Sequence, residues 1–255
     1  MDHLLIMSLD LNALLKDWPF EPGMLKVRKV TGVDDCEKLQ MRIDLGVLQM
    51  EMTGRPDGLH PHGCESLLTY HQNRAALAQA AGDEYELSAE ECSELQQEGI
   101  QYYHRYVSLF QLNDYAGVIR DTQRNLDLFS FVDKHSHRED FVWNFQQFRP
   151  YVLMMNTRAK ASLLLNESKF TEAIREIESG RDAIVEFFQE SNFPELASKS
   201  SEVAFLEEWL AEVSEKRPRS KLEIMQREME SAITKELYER AAELRDAIKL
   251  LKTSK

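Results

Sequence analysis

The chain has 255 residues, 43% hydrophobic and 29% charged, with only 10 Gly and 7 Pro. This composition excludes a disordered or collagen-like chain and suits a soluble globular protein of one or two domains weighted towards helix. A net charge of −13 argues against broad contact with a nucleic-acid backbone. Three cysteines, Cys36, Cys64 and Cys92, are an odd number, make no disulfide framework and fit a reducing cytosol.

At the start, Leu4-Leu5-Ile6-Met7 is too short for a signal core, and Asp2 stands where a signal needs positive charge. No stretch approaches the length of a membrane span, so the expected location is cytoplasmic and no membrane partner is expected. Residues 1–60 read as a β segment. Leu25, Val27 and Val30 lie in a short run of β-formers, and Thr31-Gly32-Val33-Asp34-Asp35 supplies a turn. Leu39, Met41, Ile43, Leu45 and Val47 then alternate with period two. The phase slips near Gly46, and Leu48, Met50 and Met52 carry the apolar face onward. A glycine at a phase slip predicts a β-bulge or sharp bend. The expected product is a small antiparallel β-hairpin. Two strands alone are marginal, so it should dock on helices, with pairing to a second chain as the other option.

Leu59-His60-Pro61-His62-Gly63-Cys64, with His71 beyond, is the sharpest chemical cluster. Imidazole and thiolate are good zinc ligands. Yet the spacing matches no common structural zinc pattern, and a turn shaped by Pro and Gly ahead of a helix explains the same residues. No metal and no cofactor are therefore expected. His60, His62, Cys64 and His71 form the ligand set of the alternative reading, a metal-binding enzyme or sensor. His135-Ser136-His137 with Glu139 and Asp140 allows the same chemistry but reads equally as a solvated loop.

Residues 61–214 read as helical. Cys64 to Ala81 is rich in Ala and Leu and stops at Gly82. Ser88 with Glu91 is a capping box opening a helix to about Leu112. Asn113-Asp114-Tyr115-Ala116-Gly117-Val118-Ile119-Arg120 and Asn166-Glu167-Ser168-Lys169-Phe170-Thr171-Glu172-Ala173-Ile174-Arg175 share one plan: a polar turn, an aromatic, an apolar pair and Arg. Long apolar helices flank both. This resembles tetratricopeptide repeats, in which the aromatic after the turn packs between neighbouring helices. An ordinary irregular helical bundle is the competing reading. The departure is spacing, because Tyr115 and Phe170 lie 55 residues apart, not about 34. Lys134 to Arg149 is the expected insertion, and its aromatics from Phe141 to Phe148 are expected in the core. A last helix from Pro194 to about Val213 should close the array.

No phosphate-binding loop, nucleotide fingerprint or Gly-x-Ser-x-Gly elbow occurs. The chain is not expected to be an enzyme.

Residues 215–255 carry the clearest pattern. Leu222, Met225, Met229 and Ala232, then Leu237, Ala241, Leu244, Ile248 and Leu251, step by three and four. That is the narrow seam of a coiled-coil hairpin. Ser220 with Glu223 is a capping box, and Thr234-Lys235-Glu236 is the expected turn. Residues 216–255 hold 11 Lys and Arg against 7 Asp and Glu, a balance of +4; residues 1–215 hold 20 against 37, a balance of −17. Such a tail could meet phosphate or the acidic body of another copy, although a solvated charged hairpin explains it as well.

Leu237-Tyr238-Glu239-Arg240-Ala241-Ala242-Glu243-Leu244-Arg245-Asp246-Ala247-Ile248 resembles the UVR motif shared by the excision-repair proteins UvrB and UvrC and by adaptors of Clp-type proteases. Tyr238 stands where Phe is usual, and the resemblance covers Lys221 to Lys252 only. It implies a hairpin that mediates protein–protein contact, often with another copy. The expected partner-binding residues are Leu237, Tyr238, Ala241, Ala242, Leu244, Arg245, Asp246 and Ile248. The chain shows neither helicase motifs nor a nuclease constellation, so the reading is a mainly α, non-catalytic adaptor binding a protein or its own kind through residues 220–255. Excision repair and Clp-type proteolysis are the settings that the resemblance offers.

Overall fold

The computed structural model describes residues 11–218 and 221–253. The targeting-segment reading at residues 1–10 and the cap at Ser220 lie outside the described residues. The chain divides into two compact units, residues 1–208 and 209–255.

In the first unit a four-residue helix, α1 (Asn12–Leu15), precedes a three-stranded antiparallel meander of β1 (Val27–Thr31), β2 (Glu37–Ile43) and β3 (Gly46–Glu51). The expected two-strand hairpin is thus one strand short. Gly46 is no bulge. It opens β3, opposite Ile43, after the two-residue connection Asp44-Leu45. Cross-strand partners point to the same face, so Leu39, Met41 and Ile43 share a face with Met50, Leu48 and Gly46. A two-residue turn therefore shifts the apolar phase by one, as a bulge does.

Leu39, Met41 and Met50 are buried. On the other face the central strand is covered by polar pairs. Arg28 Nε donates to Gln40 Oε1 at 2.8 Å, and Gln40 Nε2 donates to Gln49 Oε1 at 2.9 Å. Arg28 also stacks over the Trp18 ring at 4.0 Å.

Eight α-helices follow: α2 (Leu67–Ala81), α3 (Ala89–Gln111), α4 (Tyr115–His135), α5 (Glu139–Gln146), α6 (Arg149–Asn166), α7 (Phe170–Glu190), α8 (Pro194–Ala197) and α9 (Ser201–Lys216), the last running past the boundary at residue 208. The local signals act as expected. Ser66 caps α2, Gly82 ends it in the left-handed region at φ 81°, and Ser88 with Glu91 forms both halves of a capping box on α3. The single last helix is not found. Ser198 Oγ donates to Glu195 O, and Ser200 Oγ accepts from Val203 N, so the hydroxyl run 198–201 ends α8 and caps α9.

Two helical hairpins form the core of this unit, α3 with α4 and α6 with α7, and α4 packs on α6. Their turns are built alike. Asn113 and Ser168 adopt left-handed φ of 58° and 60°. In each turn the next residue's N–H (Asp114, Lys169) reaches back to a carbonyl in the last helical turn (Leu109, Leu164). The aromatic that follows, Tyr115 or Phe170, starts the second helix. The helical middle is consistent with helical repeats. The long spacing has two sources. Helix α5 and its flanks form the insertion, and α3 and α4, at 23 and 21 residues, already exceed a 34-residue repeat.

Within the second hairpin, Gly180 lets α7 approach α6. A Cβ there would stand 1.9 Å from Thr157 Oγ1 and 2.7 Å from Thr157 Cβ. Alanine would gain up to about 1 kcal/mol of helix propensity. The overlap reaches the partner's Cβ, so relief needs backbone movement. Gly180→Ala is therefore expected to destabilise the body by about 1–3 kcal/mol, read as a lower urea midpoint.

The sheet docks on the helices through two arginines. Arg105 Nη1 donates to Glu51 O at 3.1 Å, and Arg120 Nη2 to Met52 O at 3.0 Å. Arg105 is fully buried and holds Asp121 through Nε and Nη2 at 2.6 and 2.8 Å. Buried Glu98 on α3 accepts from the Leu67 and Leu68 amides at 2.7 and 3.2 Å, and from Arg124. A carboxylate thus satisfies the start of α2 and complements its dipole.

In the second unit, α10 (Lys221–Thr234) and α11 (Tyr238–Thr253) form an antiparallel helical hairpin.

Candidate functional site

The hairpin closes with the same turn as the body. Glu236 takes the left-handed φ of 59°, and Leu237 N donates to Ala232 O at 2.8 Å. Helix α10 runs one residue further into the expected turn, through Thr234, whose hydroxyl bonds back to Glu230 O. Tyr238 then opens α11, as Tyr115 and Phe170 open α4 and α7.

The seam is narrower than the spacing suggests. Ala232, Ala241, Leu244 and Ile248 are buried; Leu222, Met225, Met229 and Leu251 are half-buried. Ala242 is half-buried beside them. Small residues at 232 and 241 let two thin helices touch, and little else is enclosed.

Leu237 does not join the seam. Its place in the turn, set by the Leu237–Ala232 backbone bond, leaves the side chain 55% exposed. Tyr238 is 67% exposed and Ile233 50%. Three large apolar side chains therefore flank one turn in water. In the body the matching aromatic is packed, with Tyr115 edge-on to Phe110 at 5.5 Å. Ile233 was not among the expected contact residues. Its signal was available, since it is apolar and one position out of phase with the seam.

Arg245 and Asp246 are exposed and pair with each other, Arg245 Nε donating to Asp246 Oδ1 at 3.0 Å. They do not bridge the seam. Such a surface pair contributes little to stability, under about 1 kcal/mol, and leaves both groups accessible.

The His and Cys cluster does not converge on one point. His60 and His62 are exposed, with His62 stacked on Tyr70 at 4.1 Å. Cys64 is half-buried beside them, while His71 turns inward and shares a hydrogen bond between its Nδ1 and the Tyr85 hydroxyl at 2.7 Å. Burial pushes His71 below the ordinary imidazole value. Among the described residues no group of three or more His, Cys, Asp or Glu side chains is placed to hold a metal ion. His135 is likewise structural, its Nδ1 donating to Tyr85 O at 3.0 Å, and Arg138 holds Asp140 in a salt bridge at 2.6 Å. The aromatics of the insertion divide: Phe145 is core, whereas Trp143 and Phe148 are exposed.

Residues 219–254 match the family model of the UvrB/uvrC motif, UVR. The match coincides with α10 and α11. No curated protein and no solved structure matches the chain. Among the described residues no helix is long and apolar enough to cross a membrane.

Proposed function

We propose that this protein is a non-catalytic, cytoplasmic adaptor that uses its C-terminal hairpin to bind a partner protein or a second copy. The observation that carries this reading is the exposed apolar trio Ile233, Leu237 and Tyr238 at the turn of a hairpin whose seam is already filled. Exposed large apolar side chains grouped this closely mark an interaction surface, and a tyrosine is a favoured anchor. The family match supplies independent support. A helical hairpin carrying its own apolar strip is the complementary partner. Excision repair and Clp-type proteolysis, where hairpins of this kind serve, are the proposed settings.

The test exchanges exposed residues only. The double variant Leu237→Ser, Tyr238→Ser should keep its helical circular dichroism. It should lose capture of partners, and any self-association seen by sedimentation, by about 30-fold or more, the scale of an anchor residue. Undiminished capture by the folded variant would sink the proposal.

A further inference from the structure

A cleft of about 650 Å³ opens between α3, α4, α5, α6 and the start of α9, inside the first unit. That is the size of a small-molecule or side-chain pocket. Its wall is largely apolar and rich in aromatics, with Tyr103 and Tyr106 from α3, Phe145 and Phe148 around the end of α5, and Tyr151 from α6. Tyr103 stands edge-on to Tyr106 at 5.5 Å and lies 6.3 Å from Tyr151. The rim leaves the Tyr103 and Phe148 rings exposed.

One lining residue, Glu202, is acidic, and none is Lys or Arg. The carboxylate is oriented: Ser200 and Ser201 hydroxyls both donate to Oε2, at 2.8 and 3.2 Å. Glu202 is near enough to Tyr151 to add to the rise that burial imposes on that phenol. The lining imidazole, His104, is pushed below its ordinary value by burial, which disfavours its charged form. A carboxylate in the first turn of α9 also complements the helix dipole, which explains its place. It does not explain an open aromatic cleft beside it.

We infer that this cleft binds an organic cation on an apolar stem, an alkylammonium or alkylguanidinium, with the charge at Glu202 and the stem among the tyrosine rings. Aromatic faces attract cations through their quadrupole, and more strongly where water is excluded. A neutral ligand gains at most a hydrogen bond from Glu202, without the charge pairing that a cation adds. An anion meets that carboxylate and a chain of net charge −13. The same chemistry is offered by a free amine and by a basic side chain of a peptide.

Calorimetric titration of the full chain tests this with two matched pairs. One is phenethylammonium against 2-phenylethanol. The other is an acetylated, amidated Ala-Arg-Ala peptide against its citrulline counterpart. At least one cation should bind roughly tenfold tighter than its neutral isostere, a preference expected to collapse in Glu202→Gln. Preference in the first pair alone assigns a free amine, in the second alone a peptide side chain, and in both the shared chemistry. Should Glu202→Gln melt early, Tyr103→Ala at the exposed rim reads the same ratio. Equal binding within both pairs, no binding, or a preference unchanged in the folded variants would overturn the assignment.

Discussion

Asp121→Ala is expected to destabilise the body by about 3–5 kcal/mol, the cost of leaving one member of a buried ion pair unpaired. Arg105 and Asp121 are both fully buried, and the arginine gives Asp121 two of its donors and Glu51 O its third contact. Losing the carboxylate strands a guanidinium between α3, α4 and the sheet. The Tyr102 ring, 4.9 Å from that guanidinium, cannot replace a carboxylate. The measurement is the urea midpoint followed by circular dichroism. An Arg105→Met, Asp121→Leu double variant should recover much of the loss, because it leaves no uncompensated buried charge; Arg120, which also pairs with Asp121 at 2.9 Å, is partly in water. A loss below about 1 kcal/mol in Asp121→Ala would show that the pair is not what ties the sheet to the helices.

Ala241→Glu should act on the other unit. Ala241 is buried in the seam, and a carboxylate there costs on the order of 2–4 kcal/mol. Helices of 14 and 16 residues are marginal unless packed. The hairpin is therefore expected to melt while the rest of the chain stays folded. Amide hydrogen exchange would show this directly, with protection lost in residues 221–253 and kept in the core of α3, α4, α6 and α7. Capture of partners should disappear with it. This variant and Leu237→Ser, Tyr238→Ser answer different questions. The first removes the hairpin, and the second removes only its exposed trio. Capture that survives Ala241→Glu would place the binding surface elsewhere.

Signals confined to a few residues could be read without the structure. The Ser88–Glu91 capping box, the stop at Gly82 and the matching turns before Tyr115 and Phe170 are hydrogen-bonding patterns closed within six residues. The hairpin seam was legible for a similar reason, since its two helices are joined by a short turn. Where two local structures leave the same trace, the sequence misled. A bulge and a two-residue turn both shift the apolar phase by one, so β3 was missed at Gly46. The break between α8 and α9 was missed because serine hydroxyls only compete with helix, and the outcome depends on which backbone groups they meet. Leu237 fitted the seam by spacing, yet the left-handed residue before it turned its side chain outward.

The sequence by itself determined the helical class, the β segment, the hairpin and the acidic body with its basic tail. Those follow from composition, periodicity and caps, which act between near neighbours. Only the tertiary structure decided what the charged and aromatic residues do. Glu98 meets amides 30 and 31 residues away, Arg105 on α3 finds Asp121 on α4, 16 residues on, and the aromatic cleft gathers residues from 96 to 202. No pattern along the chain encodes such meetings, because they depend on how whole helices pack. The same packing turned His71 inward while His60 and His62 stayed exposed, and left Tyr238 bare where its counterpart Tyr115 is half-buried against Phe110.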